Sequence, residues 1–289
     1  MAENGWLAEQ FERERGHLRG VAYRILGSLP EAEDAVQETW LRLTRVGGDG
    51  LDNLPAWLRT VVSRVCLDML RARKARREEA LDASPATRLP STNGDPEREA
   101  ELAGSVGLAL LVVLDTLGPA ERLAFVLHDM FGVSFDEIAR IVGRTPDAAR
   151  QLASRARRRV QGSAPPDRNS ARQRELVDAF LAAARRGDFE ALLSILDPDV
   201  VLHTDPAAAL AAGAPTELRG AANVAKRAMK GGARAAQPIL INGEAGVVVA
   251  PRGRLMMVLA FTIDGGRITA IEAIADPDRL SGLELAVIS

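Results

Sequence analysis

The sequence predicts a multidomain protein. Two all-α modules, a helical bundle and a helix-turn-helix unit, precede an α+β cone with a curved antiparallel sheet. Three observations predict this. Apolar residues recur at helical spacing through most of the first 162 residues. Two stretches, 82–98 and 163–170, lose that periodicity and gather Pro, Ser, Asn and Gly. From Pro238 onward, short apolar runs alternate with turn residues, as in an antiparallel meander. The expected domains are 1–81, 99–162 and 171–289, joined by linkers at 82–98 and 163–170.

In the bundle, Phe11, Leu18, Val21, Ala22, Ile25 and Leu26 form one stripe, which Gly27-Ser28-Leu29-Pro30 breaks. The second helix sets Ala32, Ala35, Val36, Thr39, Trp40 and Leu43 along one side. Glu31, Glu33, Asp34, Gln37 and Glu38 line its first turns. Carboxylates there complement the helix dipole, or they form an acidic docking surface for a basic partner. A third helix runs from Leu54 to about Ala80, with Leu58, Val61, Val62, Val65 and Leu70 on the core side. Its other side is basic: Arg59, Arg64, Arg71, Arg73, Lys74, Arg76 and Arg77. Trp57 beside those cations suits unpaired DNA, where rings stack on bases and cations hold phosphates; a place in the core is the equal alternative.

Helical pattern resumes from about Pro96 to Leu117, breaks at Gly118-Pro119 and continues to Met130. The stretch Val133–Val160 then reads as a helix-turn-helix. Phe135, Ile138, Ala139 and Val142 mark its first helix, and Gly143-Arg144-Thr145 its turn. Thr145 can cap the next helix and Pro146 fits its first position. Ala149, Ala153, Ala156 and Val160 back that helix, while Arg150, Gln151, Ser154, Arg157 and Arg158 face outward. Asp147 is the one acid among these arginines, whereas a merely solvated face usually mixes its charges.

In the third domain, residues 171–187 form an amphipathic helix with Leu176, Val177, Phe180, Leu181 and Ala184 inward. A short helix from Phe189 to Leu196, a strand at Val200–His203 and a helix at 221–230 follow. In the meander, turns are expected at Gly243–Gly246, Pro251–Arg254 and Asp264-Gly265, the last a strong hairpin signal.

Net charge is −2, so nucleic-acid binding is legible only in the clustering of arginines at 71–77 and 140–159. The single cysteine, Cys66, excludes an intramolecular disulfide and a cysteine-rich zinc site. No apolar run is long enough to span a membrane, and the charged N-terminus lacks a signal peptide's apolar segment. A cytoplasmic protein is expected. No cofactor or metal is expected, since neither a ligand cluster nor a phosphate-cradling glycine loop is present.

The segments YRILGSLPEAEDAVQETWLRL, LPAWLRTVVSRVCLDMLR and LGPAERLAFVLHDMFGVSFDEIARIVGRTPDAARQLASRARRRV resemble bacterial extracytoplasmic-function sigma factors. GDFEALLSILDPDVVLHTD and the closing IADPDRL resemble the SnoaL-like branch of the NTF2-like fold, an extension carried by one subgroup of that family. The resemblance implies two partners: bacterial RNA polymerase core, met at the β′ clamp and the β flap, and promoter DNA. By position, Asp34, Gln37, Glu38 and Trp40 would dock on the clamp. Arg64, Arg71, Arg73 and Lys74 would meet the −10 element, and the helix from Pro146 the −35 element. There Arg150, Gln151 and Ser154 would read base edges, and Arg155, Arg157 and Arg158 would hold phosphates. Leu152 stands where many relatives place arginine. Of a Trp-Leu-Pro-Glu-Pro-type linker motif only Leu89-Pro90 remains, and Lys230-Gly231-Gly232-Ala233-Arg234 is a weak match to the family's glycine-rich motif.

The extension would regulate the sigma modules, with His203, Asp276, Pro277 and Asp278 as candidate residues and room for a small ligand. An enzyme is not expected. A one-component helix-turn-helix regulator and a SnoaL-like cyclase or isomerase are the alternatives. The latter would use His203, Asp205, Glu272 or Asp276 at strand ends facing a cavity as acid or base.

Overall fold

The computed structural model describes residues 2–47, 51–82, 107–162, 168–230, 233–251 and 254–288. Most of both expected linkers, Leu89-Pro90 and Gly231-Gly232 lie outside the described residues. The chain forms two compact units: Met1–Val106 with Leu114–Arg157, and Gly107–Val113 with Arg158–Ser289.

The first unit contains α1 (Ala2–Leu26), α2 (Leu29–Val46) and α3 (Leu54–Asp82). Leu18, Val21, Ile25, Ala35, Leu43, Leu58 and Val62 are almost wholly buried, so the stripes seen in the sequence are the core faces. Gly27 ends α1 with φ +71. A Cβ there would come within 2.9 Å of the Arg122 guanidinium, so both backbone and space call for glycine. Most of α4 (Leu108–Asp115) belongs to the second unit, whereas α5 (Pro119–Phe125) lies in the first. The expected helix to Met130 instead changes at Val126 into a π-helical turn reaching Met130. Then come α6 (Phe135–Val142) and α7 (Pro146–Gln161), with Gly143 in the left-handed region between them. The bundle and the helix-turn-helix share one unit: α3 packs against both α5 and α6.

The second unit holds α8 (Arg168–Arg186), α9 (Phe189–Ile195), β1 (Leu196–Thr204), α10 (Pro206–Ala212), β2 (Glu217–Arg219) and α11 (Ala221–Lys230). After them come β3 (Ala236–Ile241), β4 (Glu244–Val249), β5 (Met257–Asp264), β6 (Arg267–Ile274), α12 (Pro277–Ser281) and β7 (Leu285–Ala286). The strand order is β2-β1-β6-β5-β4-β3-β7. The meander from β3 to β6 is antiparallel throughout, but β1 joins β6 in parallel, so the sheet as a whole is mixed.

The turn expected at Gly243–Gly246 sits earlier. Asn242 and Gly243, at φ 52 and 87, make the two-residue connection, and Glu244–Gly246 is strand. An Asn-Gly pair supplies the positive φ that such a hairpin needs. One face of the sheet packs under α8, α9 and α11 through Val177, Phe180, Leu192, Val224, Val247 and Phe261. Ile239, Val248, Val258 and Ile274 are buried too, which explains the nearly unbroken apolar run of β4. At the sheet edge, the Val287 N–H donates to the carbonyl of Val160 at 2.8 Å, and Gly162 abuts Ala286 and Leu240.

Candidate nucleic-acid interface

The helix-turn-helix is built by local capping. The Ser134 hydroxyl accepts from the Glu137 N–H, and the Glu137 carboxylate accepts from the Ser134 N–H. This capping box is the S-x-x-E signature, carried by Ser134 and Glu137. At the far end of α6, the Arg144 N–H bonds to the Ala139 carbonyl. Thr145 Oγ1 accepts from the Ala148 N–H at 3.3 Å, so the expected cap is present. Ala149, Ala153, Ala156 and Val160 are buried to 7% exposure or less and fix which way α7 faces.

The outward residues are not equivalent. Gln151, Ser154 and Arg158 are exposed. Arg150 pairs with Asp147 at 2.7 Å and lies over the Phe135 ring, 5.4 Å from its centroid. Arg155 pairs with Glu121 at 3.3 Å. Arg157 is half-buried and donates to Asp129 at 2.7 Å. These acids lie on α7 itself or on the turn and helix behind it; the Asp147–Arg150 pair follows from i,i+3 spacing, and the other two join residues far apart in sequence.

On α3, Arg71 sits near Asp68 at 3.6 Å and Lys74 is exposed. Trp57 is half-buried. Arg64 and Arg73 turn back toward the protein. Arg64 donates to the Arg140 carbonyl on α6 at 3.0 Å. Arg73 donates to the Leu26 carbonyl at 3.2 Å, pairs with Glu31, and lies 3.7 Å from Asp115. Beside it, the buried Arg122 donates to Asp115 at 2.9 Å. Burial lowers its pKa and the Asp115 carboxylate opposes that shift. Arg59 pairs with Glu137 at 3.2 Å, 78 residues away in sequence. Burial opposes the Glu137 charge, but bonds from Ser134 and the Arg59 cation outweigh it and hold its pKa low.

The acidic face of α2 presents Asp34 and Gln37 exposed. Glu38 pairs with Arg42 at 2.9 Å, and Trp40 packs on the Phe11 ring with centroids 5.0 Å apart. Phe11, Glu12, Arg15, Glu33, Val36, Gln37 and Trp40 line a groove of about 380 Å³ between α1 and α2, where Arg15 pairs with Glu12 at 3.1 Å and lies 3.8 Å from Glu33.

In the second unit, a cavity of about 320 Å³ lies between α8, α11 and the sheet. His203, Asp205, Glu272 and Asp276 do not line it, contrary to the expectation that they face a cavity. Strand alternation is the reason: Leu202 and Thr204 line the cavity, so His203 between them faces away. Ile271 and Ala273 do the same to Glu272. His203 instead lies exposed, 3.7 Å from Glu217. Asp276 caps α12 by accepting from the Asp278 and Arg279 N–H groups, Pro277 opens that helix, and Asp278 is exposed. Among the described residues no group of side chains could hold a metal ion, and no helix is long and apolar enough to cross a membrane.

Two family models match the chain: sigma-70 region 2 over residues 10–76 and sigma-70 region 4 over residues 107–160. The chain is 38% identical to the ECF RNA polymerase sigma factor SigJ of Mycobacterium tuberculosis over 304 aligned positions, covering 96% of this chain and 94% of that one. It is 34% identical to the probable ECF RNA polymerase sigma factor SigI of the same species, covering 98% of each. Among solved structures, a crystal structure of M. tuberculosis SigJ matches with a TM-score of 0.46 and 34% identity, over 95% of this chain and 98% of that one.

Proposed function

The chain belongs to the extracytoplasmic-function sigma factors of RNA polymerase, and from that premise we propose how its surfaces divide the work of promoter recognition. The protein directs core polymerase to specific promoters. Its bundle, within residues 1–81, docks on the β′ clamp through Asp34, Gln37, Glu38 and Trp40. The groove between α1 and α2 supports this, because Phe11, Val36 and Trp40 give it an apolar lining beside Gln37 that suits a helical partner. The basic face of α3, with Arg64, Arg71, Arg73 and Lys74, meets the −10 element in the polymerase complex. The helix α7, within residues 99–162, reads the −35 element.

The observation that carries the reading is the exposed row Gln151, Ser154 and Arg158 on a helix whose opposite face is buried alanine. Gln151 and Ser154 are neutral groups able to read base edges, with Arg150 beside them. Arg158, together with Arg155 and Arg157, is placed for phosphates.

Elements centred at −10 and −35 lie about 85 Å apart along B-DNA, at about 3.4 Å per base step. Arg64 on α3 and Arg140 on α6 are 3.0 Å apart. Reading both elements together therefore requires α3 and α6 to part. Arg64 and Arg73 then exchange their internal partners for phosphates. The NTF2-like unit, within residues 171–289, acts as a regulatory domain rather than an enzyme. Its candidates His203, Asp276, Pro277 and Asp278 serve surface pairing and the opening of a helix, which suits protein contact better than proton transfer. The protein works in the cytoplasm, where core polymerase and promoter DNA are.

The test is run-off transcription with purified core polymerase. Transcripts from a cognate promoter are expected only when core and this protein are both present. Sequence-specific operator binding by the protein alone, with no effect on core, would favour a one-component regulator instead.

A further inference from the structure

We propose that the cavity of the second unit binds a compact apolar acid: an aliphatic or aromatic body filling the interior and a single carboxylate at the mouth. The proposal deepens the regulatory reading of this unit by naming a ligand class.

The cavity's size is a product of its residues. Alanines at 184, 228, 233, 236 and 273 line it where larger side chains would meet in the middle. Folded interiors contain few voids larger than a water molecule, because an unfilled lining forgoes dispersion contacts on one side. At about 30 Å³ per water-sized group, 320 Å³ holds about ten such groups. That suits a ligand of about ten to fifteen non-hydrogen atoms, at the small end of ordinary pockets.

The lining also specifies chemistry. Phe180, Leu202, Val249, Met257, Leu259 and Ile271 offer an apolar interior. Thr204 brings one hydroxyl, and no carboxylate is among the described lining residues. The charged members are Arg227 and Lys230, three residues apart in the last turn of α11. Spacing of that kind places both on one side of the helix. Lys230 is exposed and Arg227 half-buried, so the cationic end is the solvent end. An apolar body and an anionic head match that gradient. A cation or a polyhydroxylated ligand does not. The wall is braced from behind: Arg185 donates to the carbonyls of Ala233 at 3.2 Å and Ala236 at 2.5 Å.

The experiment is calorimetric titration of the full-length protein with decanoate, with 2-naphthoate, and with decanol as the uncharged counterpart. Both acids are expected to bind at one site, and decanol about tenfold more weakly or worse. Arg227→Gln with Lys230→Gln should weaken decanoate about tenfold and leave decanol unchanged. Ala228→Leu, which fills the cavity, should abolish all three while keeping a cooperative thermal transition. Equal affinity for acid and alcohol, undiminished binding by Ala228→Leu, or no binding of either acid at about 1 mM (the weak limit of useful affinity) would overturn the proposal. No polymerase enters the measurement, so its failure is separable from a failure of the sigma-factor reading.

Discussion

Three backbone N–H groups converge on the Asp205 carboxylate, from Ala208, Ala275 and Asp276. Burial works against its charge, but those donors and Arg279 outweigh burial and hold the pKa below its ordinary 3.8. A depressed carboxylate stabilises the fold above its unfolded pKa, and that contribution fades as pH falls through the folded value. Asp205→Ala should therefore lower unfolding free energy at neutral pH by roughly 2–4 kcal/mol, a lost cap plus unsatisfied N–H groups. The gap from wild type should shrink below about pH 4, as followed by urea titration at several pH values. On the proposed reading face of α7, Gln151→Ala or Ser154→Ala should relax preference at one −35 position by about 1–3 kcal/mol. Arg158→Ala should weaken all promoters alike and reduce the salt slope by about one. Promoter-variant panels at two salt concentrations separate the two behaviours. An acidic side chain's neighbours in space are invisible in one dimension, and so Asp205 read as a candidate acid when it is a structural knot.

Between α3 and α6, Arg59 and Glu137 form a partly exposed ion pair, each side chain about 30% exposed. A pair of that kind holds position with little energy, about 0.2–1 kcal/mol. Arg59→Glu should accordingly loosen the two elements, and Glu137→Arg added to it should tighten them again. Energy transfer between dyes on α3 and α7 would report this, with dye sites introduced as new cysteines. Cys66 does not compete, since it is buried and burial pushes its thiol pKa far up. Independent single effects with no recovery in the double variant would show that the pair does not bridge the elements. What was legible at this scale follows from local physics. Helical spacing marked α1, α2, α3, α7 and α8, and turn chemistry marked the meander. The parallel pairing of β1 with β6 and the Arg59–Glu137 pair depend on chain segments dozens of residues apart, and no local pattern encodes them. The cavity depends on which alanines of α8, α11, β3 and β6 face one another, which is equally nonlocal.

The division of the molecule runs through helices instead of loops, since Gly107–Val113 and Arg158–Gln161 belong with the sheet. Leu111, Val112 and Val113 are at most 1% exposed. Removing residues 163–289 should leave these side chains without their unit. The shortened protein should bind an apolar fluorescent dye and unfold at a lower temperature than the full chain. A fragment with an unchanged, cooperative transition and no dye binding would contradict this. The hydrogen bond from Val287 to Val160 adds a matter of timing. Synthesis runs from the N-terminus at about 5–20 residues per second, so residue 287 leaves the ribosome on the order of ten seconds after residue 160. For that interval the last turn of α7 has no partner strand. A ribosome that stalls late in the message would leave both promoter-reading elements made and the β7 edge missing.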